Sequence, residues 1–408
     1  MGIYERFNVR PLINVAGVVT RCGGALMEQE ALEAMNEAAK ESVRLDEFQA
    51  AASQIIAEIT HAEAGIVTCG ACAALTLGTA ACITGLDVDR MNQLPDTTDM
   101  PNRVIMAQHQ ISGYEHAITA AGAKLVGVGI PSYTIPPGEL HVSTIYDFES
   151  AITEHTVAIA YAPRPGSNPP LEQVIALGKK YNVPVMLDAA AQVPPVENLH
   201  KFIDMGADLV AFSGGKGIRG PQASGILCGR HDLIASAALQ SLDMGGAVTF
   251  DRWDPPPSLI PKEKLRGKPQ LGIGRSMKVS KEAIVGLLTA LQLLTEEKSS
   301  RDLKQHQLLL EEHIARPLHG VPGVEAKVIW TEYVPGGEPV LEVRLDKSKL
   351  GQDAFEVSQR LIEGDPRIYV GEKLLPKDVL TISPVNLNEE RARIVADRLQ
   401  AALVANRS

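Results

Sequence analysis

The chain has no apolar run of the roughly 20 residues that a bilayer-spanning helix needs, so none of its 408 residues is expected to cross a membrane. Its first stretch, MGIYERFNVRPLINVAG, carries charges and a proline where a secretory signal would place an apolar block. Arg6 stands where a myristoylation signal has Ser or Thr. A cytoplasmic location is the expectation. Cysteine is scarce: Cys22, Cys69, Cys72, Cys82 and Cys228 are five scattered residues. That excludes a disulfide scaffold and predicts reduced thiols. Basic residues are outnumbered, 39 Lys and Arg against 49 Asp and Glu, for a formal net charge of −10. Such a balance is a poor electrostatic match for nucleic acid or an anionic membrane. Internal repeats and low-complexity tracts are also missing.

What is present reads as a globular α/β protein. Hydrophobic residues make up 45% and charged residues 22%, which is ordinary for a folded chain. The length predicts two domains. Short apolar runs, VIMAQ (104–108), KLVGVGI (124–130), VAIAYAP (157–163), VPVMLDAAAQ (183–192), DLVAFSGGKG (208–217) and SGILCG (224–229), alternate with helical patterns such as LEQVIALGKKYN (171–182). This alternation predicts a largely parallel sheet covered by helices on both faces. The expected boundaries are an N-terminal segment 1–55, a large domain 56–250, a Pro/Gly-rich interface loop 251–278, and 279–408. That last region combines a linking helix (279–298) with a small α+β domain.

Three features follow predicted strands, where open α/β sheets bind ligands. TCGACAA (68–74) follows GIVT and opens a helix, giving small residues and free N–H groups suited to an anion. Asp188 closes VPVMLD. Lys216 lies in SGGKGIRGPQASG after DLVAF. Together they suit pyridoxal phosphate: a lysine for a Schiff base, a carboxylate for the pyridine nitrogen and amides for the phosphate. Taken singly, the lysine reads as a solvated loop residue and the aspartate as a turn former or cap. Cys69 and Cys72 also match a C-x-x-C dithiol, and a helix start is expected to lower a thiol pKa. No second ligand pair for zinc is evident, so no metal is expected.

The segments INVAGVVTRCGG (13–24), TCGACAA, VPVMLDAAAQ, DLVAFSGGKGIRGPQASG (208–225) and GIGRSMKVSKEAIVGLL (272–288) resemble the selenocysteine synthase family of fold-type I pyridoxal phosphate enzymes. The resemblance is strongest to smaller members of the D-glucosaminate-6-phosphate ammonia-lyase type. It implies an aminotransferase-like large domain with a small C-terminal domain. Lys216 would bind the cofactor and be the catalytic lysine, and Asp188 would face the ring nitrogen. Gly70, Ala71, Cys72 and Ser213 would hold the phosphate. His109, between Gln108 and Gln110, would stack on the ring, with Tyr114 and His116 as alternatives. Arg275 and Lys278 would bind anionic groups at a subunit interface, with Arg21 as a further candidate. Arg219 would reach the phosphate, and Arg164 and Asn168 the substrate; the plain reading of each is a turn or a surface ion pair.

The family's extra N-terminal tRNA-binding domain is not expected, because INVAGVV arrives by residue 13. The expected partners are an anionic amino acid and a second copy of the chain, in a homodimer or larger assembly. The expected reaction is α,β-elimination from a hydroxylated or sugar-derived amino acid, releasing ammonia and a 2-oxo acid. Racemisation or epimerisation, transamination, β-substitution on seryl-tRNA, and thiol redox through Cys69 and Cys72 stay open.

Overall fold

The computed structural model describes residues 2–130, 143–164, 166–244, 248–296, 303–331 and 337–404. It divides into two compact units, Met27–Thr295 and a smaller one made of Met1–Leu26 with Glu296–Ser408. The described strands are β1 (Leu12–Asn14), β2 (Ala64–Thr68), β3 (Arg103–Ala107), β4 (Lys124–Val128), β5 (Thr156–Tyr161), β6 (Val185–Asp188), β7 (Leu209–Ser213), β8 (Gly225–Gly229), β9 (Val324–Trp330), β10 (Pro339–Leu345), β11 (Arg367–Tyr369) and β12 (Val379–Ile382).

The larger unit holds a seven-stranded sheet in the order β2-β8-β7-β6-β5-β3-β4. β8 runs antiparallel to both β2 and β7, and the pairs from β7 to β4 are parallel. β2 therefore points the same way as β7, β6, β5, β3 and β4. β2 and β8 are buried along their whole length, as expected for strands covered on both faces.

Helices α1 (Gln29–Ala38), α2 (Leu45–Thr60) and α3 (Ala71–Thr84) belong to this unit. β2 is an edge strand, and α2 closes its open side. Gln49 Nε2 donates to Val67 O at 2.7 Å, and Gln49 Oε1 accepts from Val67 N at 3.0 Å. Ser53 Oγ accepts from Gly65 N at 3.0 Å. These buried side chains stand in for a neighbouring strand, so the edge keeps its backbone groups paired. α3 is buried around most of its circumference. Thr76, Thr79 and Thr84 bond back to carbonyls one turn earlier, which lets polar side chains sit in an apolar layer.

The linking helix expected at 279–298 spans Lys281–Thr295, and positions 297 and 298 lie outside the described residues. It falls inside the larger unit because Ile284, Leu287, Leu291 and Leu294 enter that unit's core. The 1–55 segment is split between the units at Leu26: β1 pairs in parallel with β11 of the C-terminal region, Ile13 opposite Ile368. The smaller unit also carries the antiparallel sheet β12-β10-β9. Along β10, Leu341, Val343 and Leu345 are buried while Glu342 and Arg344 face outward, the alternation of a sheet packed on one face. No helix among the described residues is long and apolar enough to cross a membrane.

Candidate active site

Because β2, β3, β5, β6 and β7 share one direction, the segments after Thr68, Ala107, Tyr161, Asp188 and Ser213 all emerge at one edge of the sheet. Thr68 and Ser213 are both paired with Gly225, one on each side of β8. A Cβ on Gly225 would lie 2.6 Å from Gly70 C and 2.8 Å from Ala71 N. Glycine at 225 is what lets the 70–71 turn sit down on the sheet end.

Gly70 has φ +136° and precedes the 14-residue helix α3, whose start has no side-chain cap. The first-turn N–H groups there are available to an anion, with the helix dipole in its favour. Ser213 is half-buried at the end of β7, and its hydroxyl has no hydrogen-bond partner among the described residues.

Lys216 lies in the loop between the antiparallel neighbours β7 and β8. Gly214 N donates to Ser224 O and Gly220 N to Gly214 O, each at 2.8 Å, and Arg219 N donates to Lys216 O at 3.0 Å. These bonds fix the loop around a half-buried lysine whose side chain has no ion pair or hydrogen bond among the described residues. A Cβ on Gly217 would lie 1.6 Å from Val193 O. The lysine loop is thus pressed onto the chain that follows Asp188. Asp188 is half-buried, and its Oδ1 accepts from Ala190 N at 3.1 Å.

Electrostatics ties three of these positions together. The Cys72 thiol has a raised pKa, first through partial burial and then through the Asp188 carboxylate, with Lys216 pulling the other way. Cys69 is also raised, mainly by burial. This corrects the sequence expectation of a lowered thiol pKa: desolvation outweighs the helix start. The cysteines are free thiols.

An unpaired lysine, a strand-terminal carboxylate and an uncapped helix start under a tight glycine contact are the donor set that pyridoxal phosphate needs. The residues fit the cofactor.

The other sequence candidates divide into groups. Arg275 and Lys278 line a cavity of about 220 Å³ that also includes Gln49 and Thr68, so they lie beside the strand end that leads to Gly70. Arg275 Nη2 is 3.2 Å from Asp243 Oδ2. Arg219 forms an ion pair with Glu28 at 2.9 Å, nearly shielded from solvent. Burial lowers its pKa and Glu28 partly restores it. The arginine is thereby committed to joining the lysine loop to the start of α1. Arg21 belongs to the smaller unit and pairs with Glu372. His109 follows β3 in a short 3-10 turn, with its Nδ1 3.3 Å from Ser143 Oγ. Tyr114 is exposed, and His116 opens a single helical turn. Asn168 stays in the bend after β5, half-buried.

Arg164 and Tyr114 line a cavity of about 20 Å³ with Gln110, Glu115 and Asp188, room for about one water. Gln110 is a residue that sequence reasoning treated as a mere neighbour. It is 1% exposed, and its Oε1 accepts from Ala162 N at 3.0 Å while Nε2 is buried without a hydrogen bond. Glu28, Gln49 and Gly225 were missed as well. Their roles depend on partners far along the chain, and no local motif marks them.

This sheet, with its lysine loop and cradle, defines a fold-type I pyridoxal phosphate enzyme. The chain belongs to the aminotransferase class-V family, whose sequence model matches residues 115–330, more than half of its length. The chain is 28% identical to a Streptomyces 5'-C-glycyluridine monooxygenase-decarboxylase, over 98% of this chain and 92% of that protein. It is 26% identical to a Salmonella typhimurium D-glucosaminate-6-phosphate ammonia lyase, over 98% and 97%. A solved D-glucosaminate-6-phosphate ammonia-lyase structure superimposes with a TM-score of 0.81 at 24% identity, covering 100% of both chains. An L-seryl-tRNA(Sec) selenium transferase from Mannheimia succiniciproducens matches at 27% over 61% of this chain and 54% of its own. Family and relatives together make the chain a pyridoxal phosphate-dependent enzyme of lyase type.

Proposed function

We propose that the chain is a lyase that eliminates a β-hydroxyl from a hydroxylated or sugar-derived amino acid, of the D-glucosaminate kind, with release of ammonia. The observation that carries this reading is the meeting of Lys216, Asp188 and the uncapped start of α3 at one sheet edge, beside the cavity of Arg275 and Lys278. The ammonia-lyase relative at 26% identity over nearly the whole chain supports the substrate class.

The bound cofactor supplies an electron sink for charge developing at the substrate Cα. Lys216 would hold that cofactor, and its amine would serve as the base for the substrate's Cα proton. Asp188 holds a proton at the ring nitrogen. The N–H groups of Ala71 and Cys72, with the Ser213 hydroxyl, bind the phosphate. Arg275 and Lys278 bind the substrate's acidic group, the guanidinium through paired hydrogen bonds. Loss of the Cα proton and the β-hydroxyl releases one water. The unsaturated amine then takes up water and gives ammonia and a 2-oxo acid, with no net oxidation. The same reading makes the enzyme at least a homodimer, checked by light scattering.

A panel of amino-sugar acids and hydroxyamino acids, assayed for ammonia and 2-oxo acid, tests this. Stoichiometric release of both from an acidic hydroxylated substrate is expected. Deuterium scrambling at Cα without ammonia would replace elimination with racemisation. The Streptomyces relative favours a second reading, oxidative loss of carbon dioxide. Oxygen uptake matched to carbon dioxide release on the same panel would select it.

A further inference from the structure

A second cluster of ionisable side chains lies toward the opposite edge of the sheet. His61 directly follows α2 and precedes the amino-terminal end of β2, and the helix Asn198–Asp204 precedes the amino-terminal end of β7. Asp204 Oδ1 is 2.9 Å from His61 Nδ1, and Asp204 Oδ2 is 2.7 Å from His200 Nδ1. The two imidazoles stack with centroids 4.5 Å apart and planes 28° from parallel. One ligand atom from each of the three residues lies within 4.8 Å of the others.

We propose that His61, His200 and Asp204 form a binding site for a divalent transition metal ion of the zinc type. The donor set is two imidazole nitrogens and one carboxylate, which suits zinc, cobalt or nickel and does not suit the all-oxygen preference of calcium or magnesium. His200 and Asp204 are four residues apart, so they share one helix face. His61 adds the third ligand from a separate element. With metal–ligand bonds of roughly 2.1 Å, tetrahedral ligands stand roughly 3.4 Å apart, so small side-chain rotations bring all three donors onto one ion. The side chains of His61, His200 and Asp204 are 54%, 36% and 47% exposed, so an ion has access and a water completes the fourth position. The bound ion would clip the end of α2 to the helix Asn198–Asp204. No other group of three such ligands occurs among the described residues.

Calorimetric titration of the chelator-dialysed holoenzyme with zinc chloride tests the site. Saturable uptake of one zinc per chain is expected, with a melting temperature that rises with zinc concentration. His200→Ala and Asp204→Asn are each expected to weaken binding roughly tenfold or more. Cobalt(II) is expected to give ligand-field bands without a thiolate charge-transfer band, and this holds whether or not a variant folds well. No saturable uptake, undiminished affinity in folded His200→Ala, or loss of binding in Cys69→Ser/Cys72→Ser alone would overturn the proposal.

Discussion

In the proposed mechanism, Asp188 is the residue on which the chemistry turns after Lys216. Its carboxylate ends β6 with one oxygen bonded to Ala190 N, so its position is set by backbone and survives a change to an amide. Asp188→Asn is expected to keep the fold and the cofactor but to lower kcat/KM by about 10²–10³, the usual cost of losing an oriented charge at a reacting centre. Steady-state ammonia release against the cofactor's absorbance separates the two effects. The thiols give a second residue-scale test. Cys72 is exposed at its surface, yet partial burial of the thiol, and then the Asp188 carboxylate, raise its pKa. A raised pKa means less thiolate at neutral pH, so alkylation by iodoacetamide is expected to be slow at pH 7. It should accelerate only beyond the ordinary thiol range of about 8.5. Cys228 is buried and pushed up to about 12, so it should react only after unfolding. Mass spectrometry of timed alkylation distinguishes the sites.

At the scale of elements, the site exists because strand ends and helix starts are held at close quarters. Gly225→Ala puts a Cβ against the Gly70 carbonyl carbon. The 70–71 turn must lift, which moves the helix start proposed to bind the phosphate. A cost of about 1–3 kcal/mol is expected, seen as a weaker cofactor dissociation constant in an absorbance titration. Gln49 works at the other side of β2. Gln49→Leu leaves Val67 N and O without their partners at a buried edge. Each orphaned group costs about 1–3 kcal/mol, so the midpoint of urea unfolding should fall markedly. Strand positions were legible in the sequence because a run such as LVAFS is short, apolar and bounded by glycine or turn residues. The extent of helices was less so: YEHAITAAGA reads as helix, but only His116–Thr119 is helical, because Gly122 and the turn before β4 cut it short. Gln49 could not be read as an edge cover, since its partner strand is set by the whole sheet.

Across the whole molecule, the mostly parallel sheet and the residues at its carboxyl edge were legible because each motif sits next to its own strand. Lys216 follows β7, Asp188 ends β6 and Gly70 follows β2, so local spacing is enough. Features made by distant pairs were not. The Glu28–Arg219 ion pair spans the larger unit, and the His61–Asp204 contact joins residues far apart in sequence. The pairing of β1 with β11, which groups the N-terminal strand with the C-terminal region, is another such long-range feature. Under the proposed function, the net charge of −10 sharpens the role of Arg275 and Lys278: an acidic chain that takes an acidic substrate needs its cations concentrated at the site.

The most direct test is borohydride reduction of the native enzyme followed by peptide mapping. The cofactor's mass is expected on the tryptic peptide that carries Lys216 and on no other, with no labelling of Lys216→Ala. Cofactor mass on a different lysine, or none retained on the native chain, would contradict the assignment.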